Sequence, residues 1–468
     1  MTTHVAIIGA YGSAGVAVAD DLADEPDTEL TLIDDGDPGG GLCILRGCMP
    51  SKEVLSAAAH RYRARVDDRL VGAPPDVDLE AVVERKDDHT LDWAAHRRAG
   101  VEGYAERDDV TFLRGTARFV DGHTLAVGDR TVEPDYVVVA TGSSVNVPDL
   151  PGIEDVDYLT SADVLDATAF PDSAVVMGFG YIGMELVPYV AEAGDTDVTV
   201  VEHDERPLDE ADPAFGDALL DVYERDFTVD VRRNSYEQRV EPTADGGVRL
   251  HLDGPDGAET VEAEALYLFT GRTPTLAGLG LENTPLSPGE GWVEPTLQAR
   301  DAAHVFVPGD ANGREQILHV AKEEGFTTAE NVLRHARGDD LVEYHPTHHH
   351  VVFAGLGVYP YARVGHSVAS AEAAGVDHVA VSRQAADDGV FKSKDAADGL
   401  ATLVVDPDDG TVLGWQGLHF HADVMAKTMQ VAVEMGLDAR ALPDRAYHPT
   451  TPEILDGLFR AAVEELEG

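Results

Sequence analysis

The chain carries two cysteines, Cys43 and Cys48, within the run Gly40-Gly-Leu-Cys43-Ile-Leu-Arg-Gly-Cys48-Met-Pro-Ser-Lys52. Two thiols cannot make a disulfide framework for 468 residues, and without further clustered ligands they do not look like a zinc site. Their spacing points to redox chemistry. A reversible dithiol needs two cysteines near enough to close a disulfide and one thiol activated as thiolate, which a helix N-terminus or a nearby cation favours. Cys43 and Cys48, followed by Pro50 and Lys52 where a helix is expected to begin, meet that description; the competing reading is a pair of buried inert thiols.

A thiol pair needs a carrier for its electrons, and two segments have the pattern of nucleotide-binding units. The first is a buried strand, Val5 to Ile8, then Gly9-Ala-Tyr-Gly12-Ser-Ala-Gly15 and a small-residue helix to Leu22. The strand after it, Glu29 to Ile33, ends in Asp34, about 20 residues beyond the glycines, where a dinucleotide fold places the acid that binds a ribose hydroxyl. The second unit has the strand Ala174–Met177, the turn Gly178-Phe-Gly180-Tyr181-Ile-Gly183, a helix through Glu192 and the strand Val198 to Glu202. Glycines there let backbone approach a pyrophosphate while the helix N-terminus, with free N–H groups and its dipole, faces the anion. One such turn alone is weak evidence; two with matched acids are much stronger.

At roughly 150 residues per domain the length allows three domains, and 43% hydrophobic residues supply several cores. The net charge of −53 repels phosphate backbones and anionic lipid, so no nucleic-acid or membrane partner is expected. With so few lysines the surface reads as that of a halophile. The apolar run Val5 to Ala19 has no preceding Lys or Arg and is interrupted by glycines, unlike a signal peptide, so a cytoplasmic enzyme is expected. Punctuation at Pro148-Asp-Leu-Pro151-Gly152 and Gly271-Arg-Thr-Pro274 predicts an N-terminal nucleotide-binding domain over 1–151, completed by 271–343, and a second over 152–270. Strand-like runs and a helix over Ala422–Met435 predict an α+β domain over 344–468. The fold class expected is α/β, two Rossmann-like domains plus this α+β domain. His348-His-His350 reads as a solvated loop rather than a metal site, and no metal is expected.

The cysteine run resembles that of the FAD-dependent pyridine-nucleotide disulfide oxidoreductases, the family of glutathione reductase, dihydrolipoamide dehydrogenase and mercuric reductase. Further matching segments, in the family's order, are Ala140-Thr141-Gly142, Gly178 to Glu185, Gly271-Arg-Thr-Pro274, Gly309-Asp310 with Leu318 to Gly325, and His448-Pro-Thr-Thr-Pro-Glu453. The resemblance implies FAD at the first nucleotide unit, NADH or NADPH at the second and a homodimer built by the C-terminal domain. It assigns Asp310 to the ribityl chain, sets Thr141 and Gly142 beside the flavin, and pairs Lys52 with Glu185 near the ring. It makes Cys43 the exposed interchange thiol and Cys48 the thiol against the flavin. His448 and Glu453 become an acid–base dyad reaching into the partner's disulfide site. Two departures stand out: the first glycine turn is one residue longer than usual, and Leu42 and Leu45 replace the Thr and Asn common beside the first cysteine.

Glu202 should accept bonds from an adenosine 2′-hydroxyl and repel a 2′-phosphate, which favours NADH, while His203 and Arg206 beside it are the basic types that read NADPH. No cysteine follows Cys48, so the extra pair that mercuric reductases use is missing. The expected activity is reduction of a low-molecular-weight disulfide, with bis-γ-glutamylcystine favoured because halophilic archaea are thought to use γ-glutamylcysteine in place of glutathione. Dihydrolipoamide oxidation is the alternative, and a non-enzymatic flavoprotein subunit is a second.

Overall fold

The computed structural model describes residues 2–445 and 447–468. These fall into two compact units, one of residues 2–50, 85–146 and 272–346, the other of 51–84, 147–271, 347–445 and 447–468.

The first unit is built on a six-stranded sheet in the order Gln298–Ala299, Ala302–Phe306, Tyr136–Val139, Thr3–Ile8, Thr28–Asp34, Val110–Arg114. All neighbours run parallel except the first pair. Tyr136–Val139 is buried at every position, as a strand covered on both faces must be. The helices Ser13–Ala23 and Leu318–Arg337 pack so closely that a Cβ on Gly325 would stand 2.6 Å from Ala14 O, which explains the small residues there. A three-stranded antiparallel sheet, Ala117–Phe119, Leu125–Val127 and Arg130–Val132, shares an apolar core with the main sheet through Phe119, Leu125 and Val139.

The second unit holds two sheets relevant to function. A parallel sheet runs Asp230–Arg232, Asp197–Val201, Ser173–Met177, Ala265–Leu268, Leu159–Thr160, with the helix Tyr181–Gly194 following its central strand. An antiparallel sheet, His349–Val352, Tyr361–Gly365, Val412–Leu418, Leu400–Val405, Val379–Gln384, packs the helices Ala422–Glu434 and Glu453–Glu467 through Met425, Met429, Leu458 and Trp415. The expected middle and C-terminal segments thus both lie in this unit, each around its own sheet. Among the described residues no helix is long and apolar enough to cross a membrane.

The His348–His350 run is not a solvated loop. His349 opens an edge strand, and His350 is buried, 4% exposed, because alternation on that strand turns it inward while His349 stays half-exposed. No group of potential metal ligands is found among the described residues.

Candidate functional site

Backbone crowding explains the glycines of the first turn. Gly9 has φ +92°, and a Cβ on it would lie 2.2 Å from Ala140 O; a Cβ on Gly15 would lie 2.2 Å from Gly9 O. Gly12 caps the helix Ser13–Ala23 without any side-chain hydrogen bond, leaving the first-turn amides for a ligand. The extra residue of the turn is absorbed by Tyr11, whose ring is buried and whose hydroxyl donates to Glu102 Oε1 at 2.6 Å. Asp34 does more than await a ribose: its Oδ2 accepts the Tyr11 N–H at 2.9 Å and its Oδ1 the Gly36 N–H at 2.9 Å. Burial pushes its carboxyl up, the two amides pull it down, and the net shift is upward.

These groups line a cavity of about 480 Å³ in the first unit that also takes in Cys43, Cys48, Thr141, Gly142 and Asp310. Thr141 Oγ1 is shielded from solvent and has no hydrogen-bond partner. Asp310 Oδ2 accepts the Ser143 hydroxyl at 2.6 Å, and Arg272 Nε donates to Ser143 Oγ at 2.8 Å. An uncapped helix N-terminus, an unpartnered hydroxyl and a carboxylate in one cavity match the pyrophosphate and polyol of a flavin dinucleotide.

One functional residue that sequence reasoning passed over is Glu324, inside the quoted Leu318–Gly325 segment. It is 2% exposed and holds the Asp310 turn, its Oε2 accepting Gly309 N–H at 2.6 Å and Asn312 Nδ2 at 2.8 Å. Burial raises its pKa from 4.5 to about 7, against the lowering effect of those donors. A raised folded-state pKa means the acid's contribution is fully present below 4.5 and is lost as pH rises through 7, a change of roughly 3 kcal/mol. Glu324→Gln keeps an acceptor for Gly309 and cannot ionise. Its melting temperature relative to wild type should therefore climb between pH 5 and pH 8; a constant difference would show that Glu324 is not the titrating group.

Cys43 is half-buried and Cys48 is exposed at the start of the helix Cys48–Val66, and both line the cavity. The reason is local: Cys43 sits in the short turn Leu42–Leu45, against which Gly47 folds so tightly that a Cβ there would meet Cys43 Cα at 3.0 Å. A hydrogen bond with Cys48, and then burial, push the Cys43 thiol upward.

In the second unit, Lys52 Nζ donates to both oxygens of Glu185 at 2.7 Å, and Phe353 N–H donates to Glu185 Oε1 at 3.0 Å. Gly178 has φ +96°, and its Cβ would meet Phe269 O at 2.6 Å; a Cβ on Gly183 would meet Gly178 O at 2.6 Å. Gly180, by contrast, has nothing within 4 Å and caps the helix Tyr181–Gly194 without a side-chain bond. That opening at an uncapped N-terminus suits a pyrophosphate. Gly271 has φ +84° and open space where a Cβ would stand.

Glu202 follows the strand Asp197–Val201; its Oε1 accepts Asp204 N–H at 2.9 Å, and burial raises its carboxyl. Both neighbouring basic groups are engaged by carboxylates: Arg206 with Asp217 at 2.6 Å and Glu205 at 2.8 Å, and His203 with Glu237 at 2.6 Å. Far along the chain, His448 Nδ1 lies 3.1 Å from Glu453 Oε1, which also accepts Thr450 N–H at 2.9 Å. That amide, followed by His448, lowers the Glu453 carboxyl. The His448 side chain is 82% exposed.

Residues 3–325 match the family model described as pyridine nucleotide-disulphide oxidoreductase, and residues 340–458 match its dimerisation domain. Dihydrolipoyl dehydrogenase 2 of Haloarcula marismortui is 30% identical, the match covering 98% of this chain and 96% of that protein. A mercuric reductase of Shigella flexneri is 30% identical over 98% of this chain and 80% of its own length. In fold, the chain resembles the HOCl-induced flavoprotein disulfide reductase RclA from Escherichia coli, with TM-score 0.82 and 23% identity, covering 98% of this chain and 99% of that one. The chain therefore belongs to the pyridine nucleotide-disulphide oxidoreductase family, FAD-dependent enzymes that move electrons between a pyridine nucleotide and a disulfide.

Proposed function

We propose that the protein reduces a low-molecular-weight disulfide with NADH through Cys43 and Cys48, bis-γ-glutamylcystine being the favoured substrate. The observation that carries the reading is the thiol pair on the wall of a cavity built like a flavin site. In this assignment residues 1–151 and 271–343 hold FAD, residues 152–270 hold NADH, and residues 344–468 join two copies. Bound FAD would supply a two-electron carrier between the nicotinamide and the cysteine pair. Gly9, Gly12, Gly15, Asp34, Thr141, Gly142 and Asp310 would hold it, and Lys52, paired with Glu185, would supply positive charge. Gly178, Gly180, Tyr181, Gly183 and Glu202 receive the nucleotide.

The remaining work is thiol exchange. Attack on a substrate sulfur needs the Cys43 thiolate, whose formation calls for a base, and the His448 imidazole, steadied by Glu453, fills that role from a second copy. The sulfur–sulfur bond of the substrate breaks, one thiol leaves with the proton His448 took up, and Cys43 is held in a mixed disulfide. Cys48 thiolate then attacks Cys43 Sγ, the bond from Cys43 to the substrate sulfur breaks, the second half of the substrate leaves as a thiolate, and a Cys43–Cys48 disulfide forms. A dimer is supported by an exposed apolar stripe on the dimerisation segment, Val424, Val431 and Met435 at 65%, 43% and 70% exposure.

The preference for NADH rests on charge. In this reading Glu202 meets the ribose, and the two basic residues beside it, Arg206 and His203, are already paired to acids. Losing bonds to a charged acceptor costs about 1.5–3 kcal/mol, roughly ten- to hundredfold. Glu202→Arg should lower kcat/KM for NADH by that factor and raise it for NADPH. Steady-state rates of wild type and variant in molar KCl, with both nucleotides against bis-γ-glutamylcystine, oxidised glutathione and lipoamide, test cofactor and substrate together. A wild type that prefers NADPH overturns the first, and one that turns over only lipoamide overturns the second.

A further inference from the structure

The His448–Glu453 dyad stands on an exposed stretch of chain: Tyr447 is 91% exposed, and His448 and Pro449 are exposed as well. Its own bonds run within the segment, Glu453 Oε1 accepting the Thr450 N–H and the Glu453 N–H donating to Thr450 O at 3.2 Å. A link to another part of the domain leaves at Thr451, which is 4% exposed and whose Oγ1 shares a hydrogen bond with His421 Nδ1 at 3.0 Å. His421 is the residue before the helix Ala422–Glu434 and has φ +70°, a left-handed conformation that histidine and asparagine tolerate better than most side chains. Its imidazole is stacked on Phe420, centroids 3.7 Å apart, and the Arg63 guanidinium lies 4.6 Å from the centre of the Phe420 ring. Burial, with Lys394 and Arg63, lowers the His421 pKa against the opposing pull of Asp423, so the imidazole is neutral at neutral pH.

A general base must be held within hydrogen-bond reach of the proton it takes, and misplacement by about 1 Å can cost about a hundredfold in rate. Thr451 lies three residues after His448 and two before Glu453, so fixing its hydroxyl fixes the turn between the two members of the dyad. The partner of that hydroxyl stands at the head of the helix whose Val424, Val431 and Met435 form the exposed apolar stripe that supports a dimer. We infer that His421 and Thr451 are positioning residues for the dyad. Their hydrogen bond ties His448 and Glu453 to the helix that meets the second copy, so the contact between copies sets where the imidazole stands. This rests on the reading of His448 as the base of thiol exchange across a dimer.

The test uses the FAD-loaded enzyme in molar KCl. Thr451→Val keeps the buried shape and deletes the hydroxyl, and His421→Gly keeps the left-handed backbone and deletes the ring. Each should lower kcat/KM for the disulfide by about ten- to hundredfold, while the rate at which NADH reduces the enzyme without disulfide stays that of wild type. Thr451→Ser retains the hydroxyl and His421→Asn sets an amide near the Nδ1 position, so both should return most of the rate. A readout that needs no flavin is adduct formation on reduced Cys48→Ser protein, which Thr451→Val and His421→Gly should slow by the same factor. In a His448→Ala background neither should slow turnover further, because both act through that imidazole. Wild-type disulfide turnover in both Thr451→Val and His421→Gly overturns the inference. A loss that adds in full to that of His448→Ala does so too, as does one that sedimentation shows to follow separation of the dimer. If His448→Ala itself leaves disulfide turnover unchanged, the dyad reading falls, and the inference with it. Thr451→Val, which preserves shape, decides the matter if His421→Gly does not fold.

Discussion

Cys48→Ser and Cys43→Ser are each expected to reduce disulfide turnover by at least about 10³-fold, the scale on which enzymes lose rate with their nucleophile. Their failures should differ in kind. With Cys48 gone, Cys43 still attacks the substrate, and nothing resolves the mixed disulfide. Reduced Cys48→Ser protein mixed with substrate disulfide should therefore accumulate one covalent adduct at Cys43, readable by intact mass. Cys43→Ser should accumulate none. The test is pointed because both thiols line the same cavity, so the covalent product is what tells them apart. Adduct formation at Cys43 should accelerate with pH, and His448→Ala should slow it most near neutrality, where a base is needed. An adduct on Cys43→Ser in place of Cys48→Ser reverses the order of the two thiols.

Lowering the salt should produce the second large effect. With 87 acidic against 34 basic residues, many carboxylates have no cation to pair with, and the compact state repels itself. The Debye length shrinks from about 30 Å at 0.01 M to about 3 Å at 1 M, so molar KCl confines each charge to its immediate neighbours. The ion pairs that do exist are mostly exposed, such as Arg249 with Glu241 and Glu262, and such pairs are worth about 0–1 kcal/mol each. Losing them to salt costs little against the repulsion removed. Melting temperature should fall steadily from several molar KCl to 0.05 M, and sedimentation should show the dimer separating at the low end. A flat melting temperature with an unchanged dimer across that range would refute the halophilic reading of the surface.

Both results bear on what a chain can disclose before it folds. The glycine turns were legible because their constraint is local: Gly9 and Gly178 need positive φ and leave no room for a Cβ, whatever else surrounds them. The continuous apolar runs Val5–Ile8 and Ala174–Met177 read as buried strands and survive as parallel sheet. Cys43 with Cys48, and His448 with Glu453, lie five residues apart, so their pairing needs little beyond a turn. The long-range partners were a different matter. Lys52 meets Glu185 across 133 positions of sequence, and resemblance to a family, not spacing, is what paired them. Glu210 was one acid among 87 with nothing beside it to set it apart, and Glu324, though inside the matching Leu318–Gly325 segment, carried no sign of its burial. Only the tertiary structure desolvates Glu324 behind the Asp310 turn and sets Glu210 between a tyrosine and a buried histidine, because burial and through-space charge depend on distances that sequence separation does not encode.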